Sequence, residues 1–208
     1  MSGDVHVRFC ESVRVRFPRA THLIVHCKTE KQARYVLASI QKRLERWKLT
    51  LHPEKTRIVY CKDKNRTGTH EHTKFDFLGY EFRARCARNR QTGTFFAAFI
   101  PAIRPKAIKA IRDTIRSWRL TQRTPMSLEE IAEGINPVVQ GWIQYYGAYC
   151  PSVLAPVLRS VEFALAKWAM RKFKKVHRKL VRTLRWLASI ARRQPELFAH
   201  WSWRTAEQ

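Results

Sequence analysis

The apolar positions of this chain change their period several times. From Leu23 to Cys27 the residues LIVHC make a short run rich in branched aliphatics, which predicts a buried strand with His26 and Cys27 as packing residues. Ala33, Val36, Leu37, Ile40, Leu44 and Trp47 then recur at three and four. The segment KQARYVLASIQKRLERWK is therefore predicted to be an amphipathic helix whose stripe, Trp47 included, faces a sheet. After Pro53 the run TRIVYC, Thr56 to Cys61, is strand-like again, and the polar stretch from Asp63 to Thr73 reads as a surface loop. FDFLGYEF, Phe75 to Phe82, alternates over part of its length and is answered by TFFAAFI, Thr94 to Ile100, with RNRQTG between them as the basic tip of a hairpin. The first half is thus a small α+β unit.

Pro101 and Pro105 punctuate the chain, and beyond them strand signals vanish, which puts a boundary near Pro101. Ile108, Ile111, Ile115 and Trp118 mark one face of a helix. Ser127-Leu-Glu-Glu130 has the pattern of a capping box, so a second helix should begin there, because Ser127 can take the N3 amide while Glu130 reaches back. That helix carries Leu128, Ile131, Ile135, Val138, Trp142 and Tyr146 inward, and Pro137 predicts a kink or break after Ile135. A third helix should run from around Val153 to Val157 until about Val176, on a face of Val161, Leu165, Ala169, Phe173 and Val176. A last amphipathic segment spans Leu184 to Ala191. The predicted fold class is α+β, an α+β first half followed by an all-helical second.

Charge adds a partner to this picture. Among 208 residues, 41 Lys and Arg against 16 Asp and Glu leave a net charge of +25, which favours a polyanion as ligand. Disorder is excluded as the reason for so many charges, because 45% hydrophobic and 12% aromatic content is globular composition. The cations also have a period. Lys109, Arg112, Arg116, Arg119 and Arg123 recur at three and four beside the first apolar face of the second half. Lys167, Arg171, Lys174, Arg178, Arg182 and Arg185 do the same further on, and no Asp or Glu occurs from Phe163 to Pro195. Solvated helix faces mix signs, so one-sided stripes favour a phosphate backbone. Among the interleaved aromatics, Trp118, Trp142 and Trp168 sit on apolar stripes. Tyr145 and Tyr149 are available to stack on bases or to bond backbone. Structured RNA suits this mixture, and composition alone does not separate it from DNA.

Other chemistries find little support. The segment MSGDVHVRFC lacks the apolar core of a signal peptide and no apolar run is long enough to span a membrane, so a cytoplasmic location is expected. Cys10, Cys27, Cys61, Cys86 and Cys150 are widely spread, and their spacings with His22, His26, His70 and His72 match no metal-ligand pair. Reduced, mostly buried thiols and no metal site are expected. Two-metal phosphoryl transfer needs clustered carboxylates, yet no aspartate occurs between Asp4 and Asp63.

Four phrases in order, LHPEKTRIVYCKD (Leu51 to Asp63), FDFLGYEFRAR (Phe75 to Arg85), NPVVQGWIQYYGAY (Asn136 to Tyr149) and LAKWAMRKFKK (Leu165 to Lys175), resemble the C-terminal part of bacterial group II intron reverse transcriptase/maturases, proteins of a mobile genetic element. The resemblance implies an unmatched leader at 1–22, the end of a reverse-transcriptase palm at 23–100 and a helical maturase domain, also called the X or thumb domain, at 101–208. It implies a role in binding group II intron RNA and holding it in its splicing-active form. Mg²⁺ then belongs to the RNA, and no cofactor is bound by the protein. Family members place Tyr-Ala-Asp-Asp directly before the strand that here reads LIVHCK. This sequence has Arg19, Ala20, Thr21 and His22 there, so no catalytic residue and no polymerase activity are expected. Two other readings stay open: a subunit that pairs with a longer reverse-transcriptase chain, or a truncated relic. Non-specific binding to DNA is a further expectation, and no membrane partner is.

Overall fold

A computed structural model describes residues 7–9, 11–13, 21–65, 68–89 and 91–206, with side chains at 24–65, 68–89 and 91–203. The chain divides into two compact units, Met1–Pro101 and Ala102–Gln208. The first mixes strands with a helix and the second is helical, which makes the chain α+β.

In the first unit β1 (Val7–Phe9) and β2 (Glu11–Val13) run antiparallel to β3 (Thr21–Leu23) and β4 (His26–Cys27). Val13 faces Thr21 and Val7 faces Cys27, so the two pairings share the same register. The strand predicted over Leu23 to Cys27 is accordingly divided. Ile24 and Val25 lie between β3 and β4, outside both strands. Within β4 the period of two buries Cys27 and exposes His26, so only the cysteine is a packing residue. Thr21 and His22 belong to β3. Arg19 and Ala20, which the resemblance sets at the place of the polymerase motif, lie outside the described residues, as does Cys10.

Helix α1 (Glu30–Glu45) starts where the Thr29 hydroxyl accepts the Gln32 amide at 3.2 Å. Ala33, fully buried, and the partly buried Val36 and Leu37 pack with Cys27, Val25 and Ile58. Trp47 does not join them. The helix ends at Glu45, Lys48 takes a left-handed conformation (φ 55°), and Trp47 is 73% exposed. Strand β5 (Ile58–Tyr60) lies against β1, and Val59, Tyr60 and Cys61 are buried.

FDFLGYEF turns out to hold a tight turn instead of one strand. β6 (Lys74–Phe77) and β7 (Tyr80–Arg88) pair with Phe77 opposite Tyr80, leaving the two-residue loop Leu78-Gly79 with φ of 45° and 80°. Positive φ at both positions is the primed turn that matches strand twist, and here a leucine takes one of them. β7 then pairs with β8 (Phe95–Ile103) across the predicted basic tip, where the Asn89 side chain accepts the Gln91 amide and Gly93 is left-handed. Arg90 of that tip lies outside the described residues. On this sheet the buried carboxylate of Glu81 meets Arg83 and Arg85, both at 3.0 Å.

The described cysteines separate by burial. Cys27 and Cys61 are buried and Cys86 is exposed, so the expectation of mostly buried thiols holds for only part of the set. Burial also pushes the Cys27 thiol pKa up, which reduces its reactive thiolate. Alkylation of the native protein followed by peptide mass spectrometry is expected to modify Cys86 before Cys27 and Cys61. Cys27 labelling as fast as Cys86 would contradict this packing.

The second unit consists of α2 (Pro105–Ser117), α3 (Leu128–Tyr146), α4 (Pro151–Lys172), α5 (Leu180–Arg193) and α6 (Ala199–Ala206). Its core gathers Ile111 and Ile115 of α2, Ile131, Ile135 and Val139 of α3, Val161, Leu165 and Trp168 of α4, Leu187 of α5, and Phe198 and Trp201. The capping box forms: Glu130 donates its amide to Ser127 Oγ at 3.1 Å and accepts the Ser127 amide at 2.7 Å. Pro137 does not break α3. Both it and Glu133, whose carbonyl loses a donor, lie on the exposed side, where water can serve that carbonyl. Val138 is 39% exposed, and the fully buried residue is Val139, which continues the four-residue spacing from Ile131 and Ile135.

Two side-chain clamps hold the C-terminal helices. Asn136 donates to the Leu197 carbonyl at 2.9 Å and accepts the Ala199 amide at 3.1 Å. The indole of Trp201, 1% exposed, donates to Glu162 of α4 at 2.7 Å.

Candidate nucleic-acid interface

All eleven predicted cations, Lys109, Arg112, Arg116, Arg119, Arg123, Lys167, Arg171, Lys174, Arg178, Arg182 and Arg185, are exposed. Neither set forms one continuous helical stripe. In the first, only Lys109, Arg112 and Arg116 ride on α2, on a face adjoining the buried Ile111 and Ile115. The helix stops at Ser117 and Arg119 turns left-handed (φ 47°). A 3-10 turn (Leu120–Gln122) then sinks Leu120 into the core and leaves Arg123 beyond it. Arg116 is further occupied by Asp113 at 2.6 Å. Both partners are exposed, so the pair is worth little and a phosphate can replace it.

The second set is spread over three elements. Lys167 and Arg171 lie in the last turns of α4, which ends at Lys172 and not near Val176, because Phe173 adopts an extended conformation (φ −108°, ψ 115°). Lys174 sits in a 3-10 turn (Lys174–Val176). Arg178 is left-handed (φ 56°), and Arg182 and Arg185 lie on α5, across the helix from Leu187. The connection carrying Lys174, Lys175, Arg178 and Lys179 is nonetheless fixed. Val176 is buried beneath it, the buried Thr183 hydroxyl donates to the Lys179 carbonyl at 2.9 Å, and the His177 ring meets the Met170 carbonyl at 3.1 Å. Among the described residues no carboxylate pairs with Lys167, Arg171, Lys174, Arg178, Arg182 or Arg185.

Trp168 and Lys172 tie the two basic regions to each other. The Trp168 indole, 1% exposed, donates to the Arg123 carbonyl at 3.0 Å, while Lys172 donates to the Met126 carbonyl at 2.5 Å and lies 5.3 Å from the Trp168 ring. Phe173 closes the group edge-on against both Trp168 and Trp186. Lys172 is therefore spent internally, whereas its neighbours face outward.

The periodic reading missed Lys175, Lys179, Arg192 and Arg193, which are exposed in the same acid-free region. Their signal was the missing acid, since eleven Lys and Arg fall between Phe163 and Pro195 with no Asp or Glu. Tyr145 and Tyr149 are 47% and 60% exposed beside the end of α3, with Tyr145 edge-on to Tyr146 at 4.8 Å. Burial, with a smaller push from Tyr145, raises the Tyr146 pKa and keeps that phenol neutral. Gly147 caps α3 where a β-carbon would come within 2.5 Å of the Ile143 carbonyl, so the backbone passage from Tyr146 to Tyr149 depends on a glycine.

Residues 108–186, which run from α2 into α5 and hold most of these cations, match the family described as "Group II intron, maturase-specific domain". The helical unit carries a group II intron maturase-specific domain. A search of the curated proteins finds no match. The maturase-specific domain thus contains Lys109 to Arg185 of both basic sets, together with Tyr145 and Tyr149. Among the described residues no group of three or more His, Cys, Asp or Glu side chains is gathered as a metal site, and no helix is long and apolar enough to cross a membrane.

Proposed function

We propose that this chain is an RNA-binding maturase fragment that captures group II intron RNA and assists its splicing without polymerase activity of its own. The observation that carries this reading is the coincidence of the maturase-specific domain with an exposed basic surface that holds no Asp or Glu from Phe163 to Pro195. Exposed guanidinium and ammonium groups neutralise closely spaced phosphates and release counterions, while the packed helices beneath them keep the charges in place. Shape recognition of a folded RNA is the natural outcome of a rigid cationic surface with few base-reading groups. The Mg²⁺ of the splicing reaction is held by the RNA, and residues 23–100 are the end of a palm that lacks the carboxylates of polymerisation.

If six or more phosphates are engaged, affinity for a group II intron transcript should fall by roughly three or more decades between about 50 and 200 mM salt. Filter binding across that range measures the slope. Splicing of the same transcript at moderate salt should be accelerated by the protein, and Arg112→Glu with Arg116→Glu should reduce the acceleration. Salt-insensitive binding, or splicing unaffected by the protein at saturating binding, would remove the respective half of the proposal.

A further inference from the structure

Helix α1 of the first unit has a second face that the palm reading does not use. Opposite Ala33 and Leu37, the residues Tyr35, Ala38, Ser39, Lys42, Arg43, Arg46 and Trp47 line a concave surface of about 750 Å³. Two features set it apart from an ordinary solvated helix face. Tyr35 and Trp47 are 74% and 73% exposed, an arrangement that costs hydrophobic free energy unless something covers the rings. The floor between them is made of the small residues Ala38 and Ser39, flanked by three cations. The carboxylates of this helix are turned aside, Glu30 onto Arg34 at 2.6 Å and Glu45 onto Gln41 at 3.1 Å. From Tyr35 to Arg46 the helix rises about 16 Å, the length of roughly five stacked nucleotides at 3.4 Å per step.

We propose that this face of α1 is a second nucleic-acid site, one that takes a single-stranded RNA segment with bases stacked on Tyr35 and Trp47 and phosphates on Lys42, Arg43 and Arg46. It rests on the reading that the chain binds RNA, and adds a site of a different kind on the other unit. Aromatic platforms beside a cationic groove are what unpaired strands require, because every base presents a π-face once it is freed from a duplex. A second copy of this chain is a poor occupant, since each carries +25 and would bring cations against cations. The acid-free helical surface of the maturase-specific domain has no comparable pair of exposed indole and phenol rings over small residues, and suits paired or folded RNA.

The test uses the full chain with two probes: a fluorescein-labelled oligouridine of about 12 nucleotides and a labelled RNA duplex of about 16 base pairs. Fluorescence anisotropy of Tyr35→Ala/Trp47→Ala should show oligouridine affinity reduced by about tenfold or more, as stacking on one or two rings is worth, with duplex affinity within about twofold of the parent. Tyr35→Phe/Trp47→Phe should retain the oligouridine affinity, since it keeps the rings and loses only their polar atoms. Lys109→Glu/Arg112→Glu/Arg116→Glu should weaken the duplex. Wild-type oligouridine affinity in the alanine variant overturns the α1 site while leaving the RNA-binding reading intact, and a changed sedimentation coefficient in that case would assign the face to a protein partner. A parent chain that binds neither probe overturns both.

Discussion

Trp168→Ala is expected to destabilise the helical unit by about 3–5 kcal/mol, the range for truncating a fully buried tryptophan. Three losses combine there. The ring is 1% exposed and borders Phe173, so its removal opens a cavity in the main core. The Arg123 carbonyl loses the indole donor at 3.0 Å and keeps only the Met126 amide at 3.2 Å. Lys172 loses the ring beneath it while still tied to Met126. Urea denaturation followed by circular dichroism measures the change in midpoint. Trp168→Phe should recover part of the loss, because it refills much of the volume without restoring the hydrogen bond. RNA affinity should fall as well, because the Arg123 end of one basic set and the Lys167 to Lys174 end of the other are held together through this side chain. A loss below about 1 kcal/mol would mean that the site collapses around the deletion and that the two regions are held by other contacts.

Much of the helical unit was legible from spacing alone, and the places where it was not share one cause. The capping box at Ser127 and the face of Ile131 and Ile135 are local patterns that tertiary structure leaves unchanged. Helix ends were missed where the chain stops a helix without glycine or proline. Arg119 and Arg178 both take left-handed conformations, and each falls inside a run of cations that continues the helical period by coincidence. Lys48 and Leu78 do the same in the first unit. A non-glycine residue at positive φ carries no sequence signature, because the strain is offset by neighbouring burial: Leu120 after Arg119, and Val176 with Thr183 around Arg178. Trp47 followed the stripe in sequence yet left it in space, because the helix had already ended at Glu45.

The basic surface was legible in a different way. Period picks out cations that are all exposed, although they do not form a continuous helix face. Exposure holds regardless, because a cation with no carboxylate nearby and no room in an apolar core has nowhere to go but outward. For the same reason the acid-free interval from Phe163 to Pro195 was the better guide than periodicity, and it would have included Lys175, Lys179, Arg192 and Arg193. Lys172 is the exception in that interval, drawn inward by two aromatic rings and a pair of carbonyls.

Reversing three charges of that surface, Arg178→Glu with Arg182→Glu and Arg185→Glu, is expected to weaken binding to a group II intron transcript about 1,000-fold at moderate salt. Hydrogen bonds to charged groups contribute roughly 1.5 kcal/mol or more each, and three of them amount to about three decades in affinity. All three side chains are exposed, and Arg182 and Arg185 lie across α5 from Leu187, so the fold should be preserved. Glutamate at 178 meets the same left-handed backbone as arginine, which removes backbone strain as a rival explanation. The salt slope should fall by about 2.7 as three phosphate contacts vanish, and this separates lost contacts from a damaged fold, which would lower the amount of active protein at an unchanged slope. The triple lysine variant at the same positions keeps the charge and should retain most of the slope while losing bidentate contacts. Unchanged affinity in the glutamate variant would place the RNA on α2 and the turn after it, and make the α5 cations a solvated face.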